Sequence, residues 1–437
     1  MICYFRRITF DYYMLKTKIM IKTVSENKSR RYYFFRTLFI LLFLILPGMI
    51  FSQETITGIL YSDNKPVSIT IKDGIITGIK RIKKLPAGNE GLIIAPGLID
   101  NQVNGFAGVS FTFGGGTLSG DDVKKATEEL WKAGVTTYLP TLTTNSHELL
   151  LKNFSVLGKL KDDPALLGSI PGFHLEGPFI SPVDGYRGAH PLMHVRKPDW
   201  KEFLTLNKAA GNGIIHVTIA PEVEGAMDFI DKCKAAGIVV ALGHHNGNAQ
   251  QVTEAIERGA RIATHLGNGC ANMINRHINP LWPQLSDDRL MISIIGDGFH
   301  LNPEEIRVFY KVKGPEKTII TSDVTSFASL NPGKYITEEG ETIELTPEGM
   351  LRYPAQNVLY GSASPVKKGV VNVMKVTGCS LAEAIRMTSF NPAKLYGLDD
   401  RGEIAKGKRA DIILFKLIND EMVIKKTYVR GNLVYKE

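Results

Sequence analysis

Two patterns of apolar residues alternate along most of the chain and predict a parallel β-barrel. Short, nearly continuous apolar runs are typical of buried parallel strands, and segments such as 121–133 and 248–258 between them have helical periodicity. Eight strands each followed by a helix predict an α/β fold, a (β/α)8 TIM barrel, with active-site residues at the carboxyl ends of the strands. The predicted strands are 92–100, 136–142, 167–176, 214–220, 238–243, 261–265, 290–297 and 317–323.

Both ends of the chain show a different pattern, in which apolar and polar residues alternate over short segments separated by turns. This alternation, in 55–82 and in 411–435, is typical of antiparallel strands. Neither half is enough for a stable sheet alone, so we predict one small β-sandwich domain built from both chain ends. A further insertion, 336–360, is predicted to be a β-hairpin. The predicted domains are a leader at 1–52, the N-terminal half of the small domain at 53–95, the barrel at 96–397 and the C-terminal half at 398–437.

The first 52 residues have the pattern of an export signal. Residues 37–51 form an apolar run that a cluster of arginines precedes and the small Ser52 follows. The alternative is a membrane anchor, but about fifteen apolar residues are fewer than the roughly 20 of a spanning helix. We therefore predict a signal peptide and a periplasmic protein, which would contact the membrane only through an uncleaved leader. If translation starts later in the chain, the protein is cytoplasmic.

Composition and charge describe an ordinary globular protein. Of 437 residues, 44% are hydrophobic and 22% are charged. The formal net charge of +8 suggests a nucleic-acid partner, but nine Lys and Arg against two acids in the leader account for +7 of it. We therefore expect no nucleic-acid partner. Without the leader three cysteines remain, Cys233, Cys270 and Cys379, and an odd number argues against a disulfide framework.

Three predicted strand ends carry residues suited to a metal ion. Glu176 ends the third strand, His244 follows the fifth, and His265 ends the sixth. One carboxylate and two imidazoles at the same end of a barrel suit a borderline-soft divalent ion and leave a position for water. We predict one divalent ion per chain, zinc, bound by these three residues.

Asp323 ends the eighth strand with an acid and is the candidate general base and acid. Zinc lowers the pKa of bound water to about 7, but amide hydrolysis also needs a group that carries a proton to the leaving nitrogen. Asp323 would take the proton as the metal-activated water attacks the carbonyl carbon, and would then deliver it to the nitrogen. His190 and His300 are candidate donors to a carbonyl oxygen or a substrate hydroxyl, and Asn268 with the backbone of Gly269 offers further hydrogen bonds.

A set of short motifs lies at or near the predicted strand ends. They are Pro96-Gly97-Leu98-Ile99-Asp100, Gln102-Val103-Asn104-Gly105, His174-Leu175-Glu176-Gly177-Pro178, Gly243-His244, Thr264-His265-Leu266-Gly267-Asn268, Asp297-Gly298-Phe299-His300, Thr321-Ser322-Asp323 and Gly361-Ser362. Together they resemble the amidohydrolase superfamily and, within it, the N-acetylglucosamine-6-phosphate deacetylase family. The resemblance covers about residues 55–437.

The resemblance implies metal-dependent deacetylation of an N-acetyl amino sugar, with the metal ligands named above and Asp323 as the acid and base. It implies that His190 polarises the acetyl carbonyl and that His300 contacts the sugar. It also implies a homodimer in which an arginine of the partner reaches the substrate phosphate, and Arg276 is the match to that arginine.

Gln102 and Asn104 stand where most amidohydrolases carry a His-x-His pair, as in the one-metal branch of this deacetylase family. An amide side chain is a much poorer zinc ligand than an imidazole. We therefore predict a vestigial second metal site that holds no ion.

Two other functions are alternatives. An amidohydrolase acting on a cyclic amide, such as a hydantoinase or dihydroorotase, usually has a carboxylated Lys between two metals, whereas the fourth predicted strand ends Ala220-Pro221-Glu222. A non-catalytic sugar-binding barrel would not require an acid at Asp323.

The predicted leader conflicts with a phosphorylated substrate, because sugar phosphates are normally made inside the cell. The segment 269–277, which contains Arg276, also departs from the family pattern. We therefore expect an unphosphorylated N-acetyl amino sugar as the substrate.

Overall fold

The computed structural model describes residues 53–437 and contains the predicted barrel, which confirms the fold class. Eight parallel strands follow one another in chain order around the sheet, and Val324, just after the last strand, pairs with Val103 of the first, so the barrel is nearly closed. The predicted leader, 1–52, lies outside the described residues. The barrel strands are β1 (Leu98–Val103), β2 (Val135–Thr143), β3 (Phe173–Glu176), β4 (Ile214–Ile219), β5 (Val239–Leu242), β6 (Ala260–Ala263), β7 (Met291–Ile295) and β8 (Thr318–Thr321).

Helices connect the barrel strands and cover their outer face. The first begins at a capping box in which Ser119 and Asp122 satisfy each other's backbone N–H groups, and its apolar face, including Val123 and Leu130, is buried. Among the described residues, no helix is both long and apolar enough to cross a membrane. The helices are α1 (Gly120–Lys132), α2 (His147–Leu160), α3 (Trp200–Ala209), α4 (Ala226–Ala235), α5 (Ala249–Arg258), α6 (Leu281–Ser286), α7 (Pro303–Lys317), α8 (Val366–Thr377), α9 (Leu381–Ile385) and α10 (Asn391–Leu395).

The first predicted strand, 92–100, forms two strands in different sheets. Ile93–Pro96 belongs to the small sheet, β1 begins at Leu98, and Gly97 lies between them. The N–H of Gly97 donates to the carbonyl of Asp411 at 2.9 Å, whereas the N–H of Leu98 donates to the carbonyl of Gly134 at 3.0 Å. The backbone therefore changes sheets within one residue, which a continuous apolar run does not reveal.

Strands from both chain ends form one seven-stranded sheet, which confirms the predicted small β domain of mixed origin. Ile93–Pro96 lies inside it, parallel to Gln53–Leu60 and antiparallel to Ile412–Ile418. The sheet has a hydrophobic core of its own, and residues 53–437 together form one compact unit. In sheet order the strands are Asn432–Lys436, Glu421–Val429, Ile412–Ile418, Ile93–Pro96, Gln53–Leu60, Pro66–Lys72 and Ile75–Arg81.

The insertion after β8 is larger than the predicted hairpin. It contains four short antiparallel strands with a small core around Ile343 and Tyr360. A strand of two to four residues is too short for its alternation of apolar and polar residues to be recognised, so the sequence did not reveal four separate strands. The strands are Gly333–Ile336, Thr342–Leu345, Leu351–Tyr353 and Val358–Leu359.

Candidate metal centre and active site

The carboxyl ends of four barrel strands bring buried polar side chains into one cavity of about 400 Å³. Glu176 is the last residue of β3, and His244, His265 and Asp323 each lie two residues beyond the end of β5, β6 and β8. The parallel barrel therefore places at one end the four residues on which the sequence-based prediction depended.

Three of these residues have a left-handed backbone. The φ angles of His244, His265 and Asp323 are 50°, 29° and 52°. Such a conformation costs a non-glycine residue roughly 1 kcal/mol or more and persists only where the surrounding fold imposes it. All three residues line the cavity, and each has this backbone conformation just beyond the end of its strand, β5, β6 or β8.

Glu176, His244 and His265 form a set of potential metal ligands. One ligand atom from each lies within 4.8 Å of the other two, and all three residues are buried. Glu176 Oε1 is 3.0 Å from His265 Nε2 and 3.4 Å from His244 Nε2, and the two Nε2 atoms are 3.1 Å apart. A carboxylate and two imidazoles converging on one point fit a four-coordinate divalent ion with an open position.

The second nitrogen of His244 supports this interpretation. His244 Nδ1 lies 3.1 Å from the backbone carbonyl of Tyr186 and must donate to it, so Nε2 of the neutral ring presents its lone pair to the other ligands. Gly188 and Gly269 pack against this ring, and a Cβ at Gly269 would lie 2.7 Å from His244 Nδ1. The ring is therefore fixed in the orientation that metal binding requires.

The electrostatics of the ligand set keep its carboxylate ionised. Burial by itself raises the pKa of Glu176, but the imidazoles of His244 and His265 outweigh this and hold that pKa well below its usual range. The buried charge is thus compensated by neighbouring groups, as a metal-binding carboxylate requires.

Gln102 and Asn104 hold Asp323 in place. Gln102 Nε2 donates to Asp323 Oδ1 and to Glu176 Oε1, both at 2.8 Å, and Asn104 Nδ2 donates to Asp323 Oδ1 at 2.7 Å. Because both neighbours of the Gln102 amide nitrogen are carboxylate oxygens, its NH2 group must face them. Burial and the charge of Glu176 raise the pKa of Asp323. The two amides therefore bind Oδ1 and leave Oδ2 without a hydrogen bond within the described residues.

His190, in the segment after β3, and His300, in the segment after β7, both line the cavity. His190 Nε2 is 3.2 Å from His244 Nε2, its Nδ1 is 2.8 Å from Thr144 Oγ1, and burial lowers its pKa well below the usual value. His300 Nδ1 is 2.8 Å from Asp297 Oδ2. His190 is thus a neutral imidazole, and the ring of His300 is oriented by a carboxylate.

The rest of the cavity wall agrees in part with the residues selected from the sequence. Asn268 and Gly269 line it, whereas Arg276 is exposed and is not among the residues that line the cavity of its own chain. Sequence reasoning missed other lining residues, because the motifs do not include them. They are Phe113, Gly185, Ala189, Cys270, Asn272, Glu305 and the segment Asn357, Val358 and Leu359 from the insertion.

Comparison with known proteins agrees with this geometry. The sequence profile described as "Amidohydrolase family" matches residues 93–434, so the chain belongs to the amidohydrolase family. This confirms the family predicted from the motifs.

Within that family the chain is similar to N-acetylglucosamine-6-phosphate deacetylases. The protein of that name from Bos taurus is 33% identical over 356 residues, which are 79% of this chain and 84% of the relative. The one from Haemophilus influenzae is 31% identical over 349 residues, 78% of this chain and 85% of the relative. A mutant of the Mycobacterium smegmatis enzyme in complex with N-acetyl-D-glucosamine-6-phosphate has a similar structure, with a TM-score of 0.78 at 26% identity over 88% of this chain and 100% of the other.

Proposed function

We propose that this protein is a metal-dependent hydrolase that removes the acetyl group from an N-acetyl amino sugar. The observation that carries the proposal is the meeting of Glu176, His244 and His265 with Asp323 in one buried cavity. Relatives that share most of the chain's length are named as deacetylases of such a sugar. The bond broken is then a linear amide C–N bond.

We infer one divalent ion, zinc, for the ligand set. A carboxylate with two imidazoles is a donor set that zinc accepts, and the donor atoms converge without further rearrangement of the chain. When bound there, zinc would lower the pKa of a coordinated water and polarise a carbonyl group.

Asp323 moves the proton in this proposal. Its Oδ2, which the two amides leave unbound, accepts a proton from the attacking water and delivers it to the amide nitrogen as the C–N bond breaks. Oδ1 stays hydrogen-bonded to Gln102 and Asn104 throughout, so the carboxylate keeps its orientation. His190, a neutral imidazole, donates a hydrogen bond to the acetyl oxygen.

The remaining polar wall positions the sugar. Asn268, the backbone of Gly269 and His300 offer hydrogen bonds to hydroxyl groups around the cavity. A volume of about 400 Å³ is in the range of small-molecule sites.

We also propose that the protein is exported and that it forms a homodimer. The pattern of residues 37–51 supports export. The dimer is supported by apolar side chains on the segment after β6, where Met273, Ile278 and Trp282 are 89%, 70% and 52% exposed. Analytical ultracentrifugation of the protein and of Ile278→Asp tests the dimer. We expect the wild type to sediment as a dimer and the variant as a monomer, because a charge in an apolar interface disfavours association.

Metal analysis combined with an acetate-release screen over N-acetyl sugars tests the proposed function. We expect close to one ion per chain, acetate release from at least one sugar, and loss of both in Glu176→Ala. His300→Ala, which alters a cavity imidazole outside the ligand set, serves as the control and should retain the ion. Two tightly held ions would contradict the single site, and a failure to release acetate from any N-acetyl sugar would contradict deacetylation.

A further inference from the structure

We propose that Thr144 is a positioning residue for the deacetylation, because its hydroxyl keeps His190 in the tautomer whose Nε2 carries the hydrogen. The inference rests on the proposed function, in which His190 donates a hydrogen bond to the acetyl oxygen. Thr144 is not among the described residues that line the cavity, so it acts through His190 and without touching the substrate.

The hydroxyl of Thr144 contacts the ring of His190 directly. Thr144 immediately follows β2, and its Oγ1 lies 2.8 Å from His190 Nδ1. Both residues are buried. In the part of the chain that the structure describes, neither Oγ1 nor Nδ1 has another hydrogen-bond partner. The direction in which this one hydrogen bond runs therefore determines the tautomer of His190.

The surroundings of Thr144 Oγ1 favour a hydroxyl that donates to the ring. A Cβ at Gly177 would lie 2.1 Å from Oγ1, so the glycine hydrogen in that direction points at the oxygen and offers no acceptor. Among the described residues, the hydroxyl hydrogen finds its acceptor only at His190 Nδ1. If Nδ1 carried a hydrogen instead, the buried hydroxyl hydrogen would be left without a partner, which is costly.

The contacts of the other ring nitrogen lead to the same assignment. His244 donates through Nδ1 to the carbonyl of Tyr186, so a neutral His244, which metal binding requires, presents a lone pair at Nε2. His190 Nε2 is 3.2 Å from that atom, and two lone pairs at this distance would repel each other. Nε2 of His190 therefore carries a hydrogen. Since burial lowers the pKa of His190, its ring is neutral, and Nδ1 accepts from Thr144.

This tautomer gives His190 the two properties that the proposed function needs. Its Nε2–H can donate to the acetyl oxygen as negative charge develops there. A ring nitrogen that carries a hydrogen cannot coordinate a metal ion, so His190 also stays out of the ligand set although its Nε2 lies 3.2 Å from a ligand atom of His244. The other tautomer would reverse both properties, because Nε2 would then present a lone pair.

Three substitutions separate the hydroxyl of Thr144 from its bulk. Thr144→Val keeps the branched shape without the hydroxyl, Thr144→Ala removes the hydroxyl and the methyl group, and Thr144→Ser removes only the methyl group. Thr143→Val is the matched control, because Thr143 is also buried and its hydroxyl lies 3.3 Å from that of Thr112. An effect shared by Thr144→Val and Thr144→Ala and absent from the other two variants reports on the hydroxyl.

The kinetics of acetate release by the zinc-loaded full-length protein, with N-acetylglucosamine and its 6-phosphate as substrates, give the first test. We expect kcat to fall by about 10–100-fold in Thr144→Val and Thr144→Ala, the scale of one unmade buried hydrogen bond. KM should change by less than about twofold, because the lost interaction is made in the transition state. Thr144→Ser and Thr143→Val should turn over like the wild type. A raised KM at unchanged kcat would overturn the proposal.

Nitrogen NMR of isotopically labelled histidine rings tests the tautomer without turnover. In the zinc-loaded wild type, with the signals of His190 assigned by comparison with His190→Gln, we expect a hydrogen on Nε2 and none on Nδ1. Thr144→Ser should keep this pattern, and Thr144→Val and Thr144→Ala should lose it. A hydrogen on Nδ1 in the wild type, or a wild-type pattern in both Thr144→Val and Thr144→Ala, would overturn the proposal.

Failure of the positioning role and failure of the proposed function give different results. If acetate is released and Thr144→Val and Thr144→Ala turn over like the wild type, the positioning role is overturned and the deacetylase proposal stands. If no N-acetyl sugar releases acetate, the deacetylase proposal fails, and the NMR signals of His190 still decide whether Thr144 determines its tautomer.

Discussion

Asp323 shows how a single carboxylate can be oriented and remain available for proton transfer. Both amides bind its Oδ1, so an Asn at this position can present its own carbonyl oxygen to Gln102 and Asn104. We expect Asp323→Asn to retain metal and substrate binding while kcat falls by roughly 10²–10⁴-fold, the usual contribution of a general acid or base. Metal content, substrate affinity and acetate release measured on the same preparation test this. Turnover close to that of the wild type would exclude the proton-transfer role.

Asp100 is a second buried acid, and it predicts a pH dependence of stability. Its Oδ1 accepts hydrogen bonds from Thr321 Oγ1 and the N–H of Ser322, whereas Oδ2 has no partner among the described residues, and burial raises its pKa to about 6. The native state therefore holds this proton more tightly than the unfolded chain, whose Asp pKa is about 3.9. The stabilisation is full below pH 4 and is lost as the pH rises through about 6.

The corresponding measurement compares urea unfolding of the wild type and Asp100→Asn between about pH 4 and pH 7. With about 1.4 kcal/mol per pKa unit, the wild type should lose roughly 2 kcal/mol relative to the variant over this range, because the loss has already begun at pH 4, near the pKa of Asp in the unfolded chain. The proposed metal site is the same in both proteins, so its own pH dependence cancels in the difference. Parallel stability curves would show that the pKa of Asp100 is the same in the folded and the unfolded state.

The residues of the site differ in how far a sequence can reveal them. Glu176, His244 and His265 stand where apolar runs end, so strand periodicity and side-chain chemistry together located them. Thr144 and Glu305 have no comparable signal, because one orients His190 through a contact 46 positions away and the other is an ordinary acid at a helix start. Their positions at the site depend on which loops meet above the barrel, and no local pattern contains that information.

At the scale of elements, Gly97 is where the two sheets of the molecule join. A Cβ at this position would lie 2.1 Å from Oγ1 and 2.3 Å from Cγ2 of Thr136. We expect Gly97→Ala to lower the free energy of unfolding by about 1–3 kcal/mol, as overpacking does. Denaturant unfolding measures the change, and Thr136→Ala in the same chain should recover part of it, because two of the crowding atoms are then absent.

Gly120→Ala is the matched control for this prediction. Gly120 begins α1, and an added Cβ there meets Leu160 Cδ1 at 3.7 Å, an ordinary contact. The substitution should leave the free energy of unfolding unchanged or raise it slightly, since alanine reduces the entropy of the unfolded chain. A comparable loss in both variants would show that Gly97 is not specially crowded.

Buried strands of the barrel could be predicted from the sequence, whereas the short, partly exposed strands of the insertion could not. The eight barrel strands were predicted because a strand covered by helices on one side and filled on the other is apolar throughout. The insertion was predicted as one hairpin because its four strands are short and only partly buried. The division of 92–100 at Gly97 was missed because both parts are buried, so the hydrophobicity does not change where the sheet does.

At the scale of the whole molecule, metal binding should be linked to stability, because the three proposed ligands come from three different strands and meet only in the folded chain. Zinc added to metal-free protein should raise the thermal midpoint, with a stabilisation of about 4 kcal/mol when free zinc is 1,000 times the Kd. His244→Ala should lose this response, and His300→Ala should keep it. Differential scanning calorimetry with and without zinc provides the measurement. An equal response in His244→Ala would place the zinc elsewhere.

The mixed origin of the small sheet has a consequence for how the protein is made. Ile93–Pro96 pairs on one side with Gln53–Leu60, which is synthesised before it, and on the other with Ile412–Ile418, which is synthesised only after the whole barrel. A nascent chain therefore carries an open strand edge until Ile412–Ile418 leaves the ribosome, and such edges pair readily with other chains. A messenger truncated just before the codon for Ile412 would yield a protein that retains every proposed catalytic residue and is prone to aggregate.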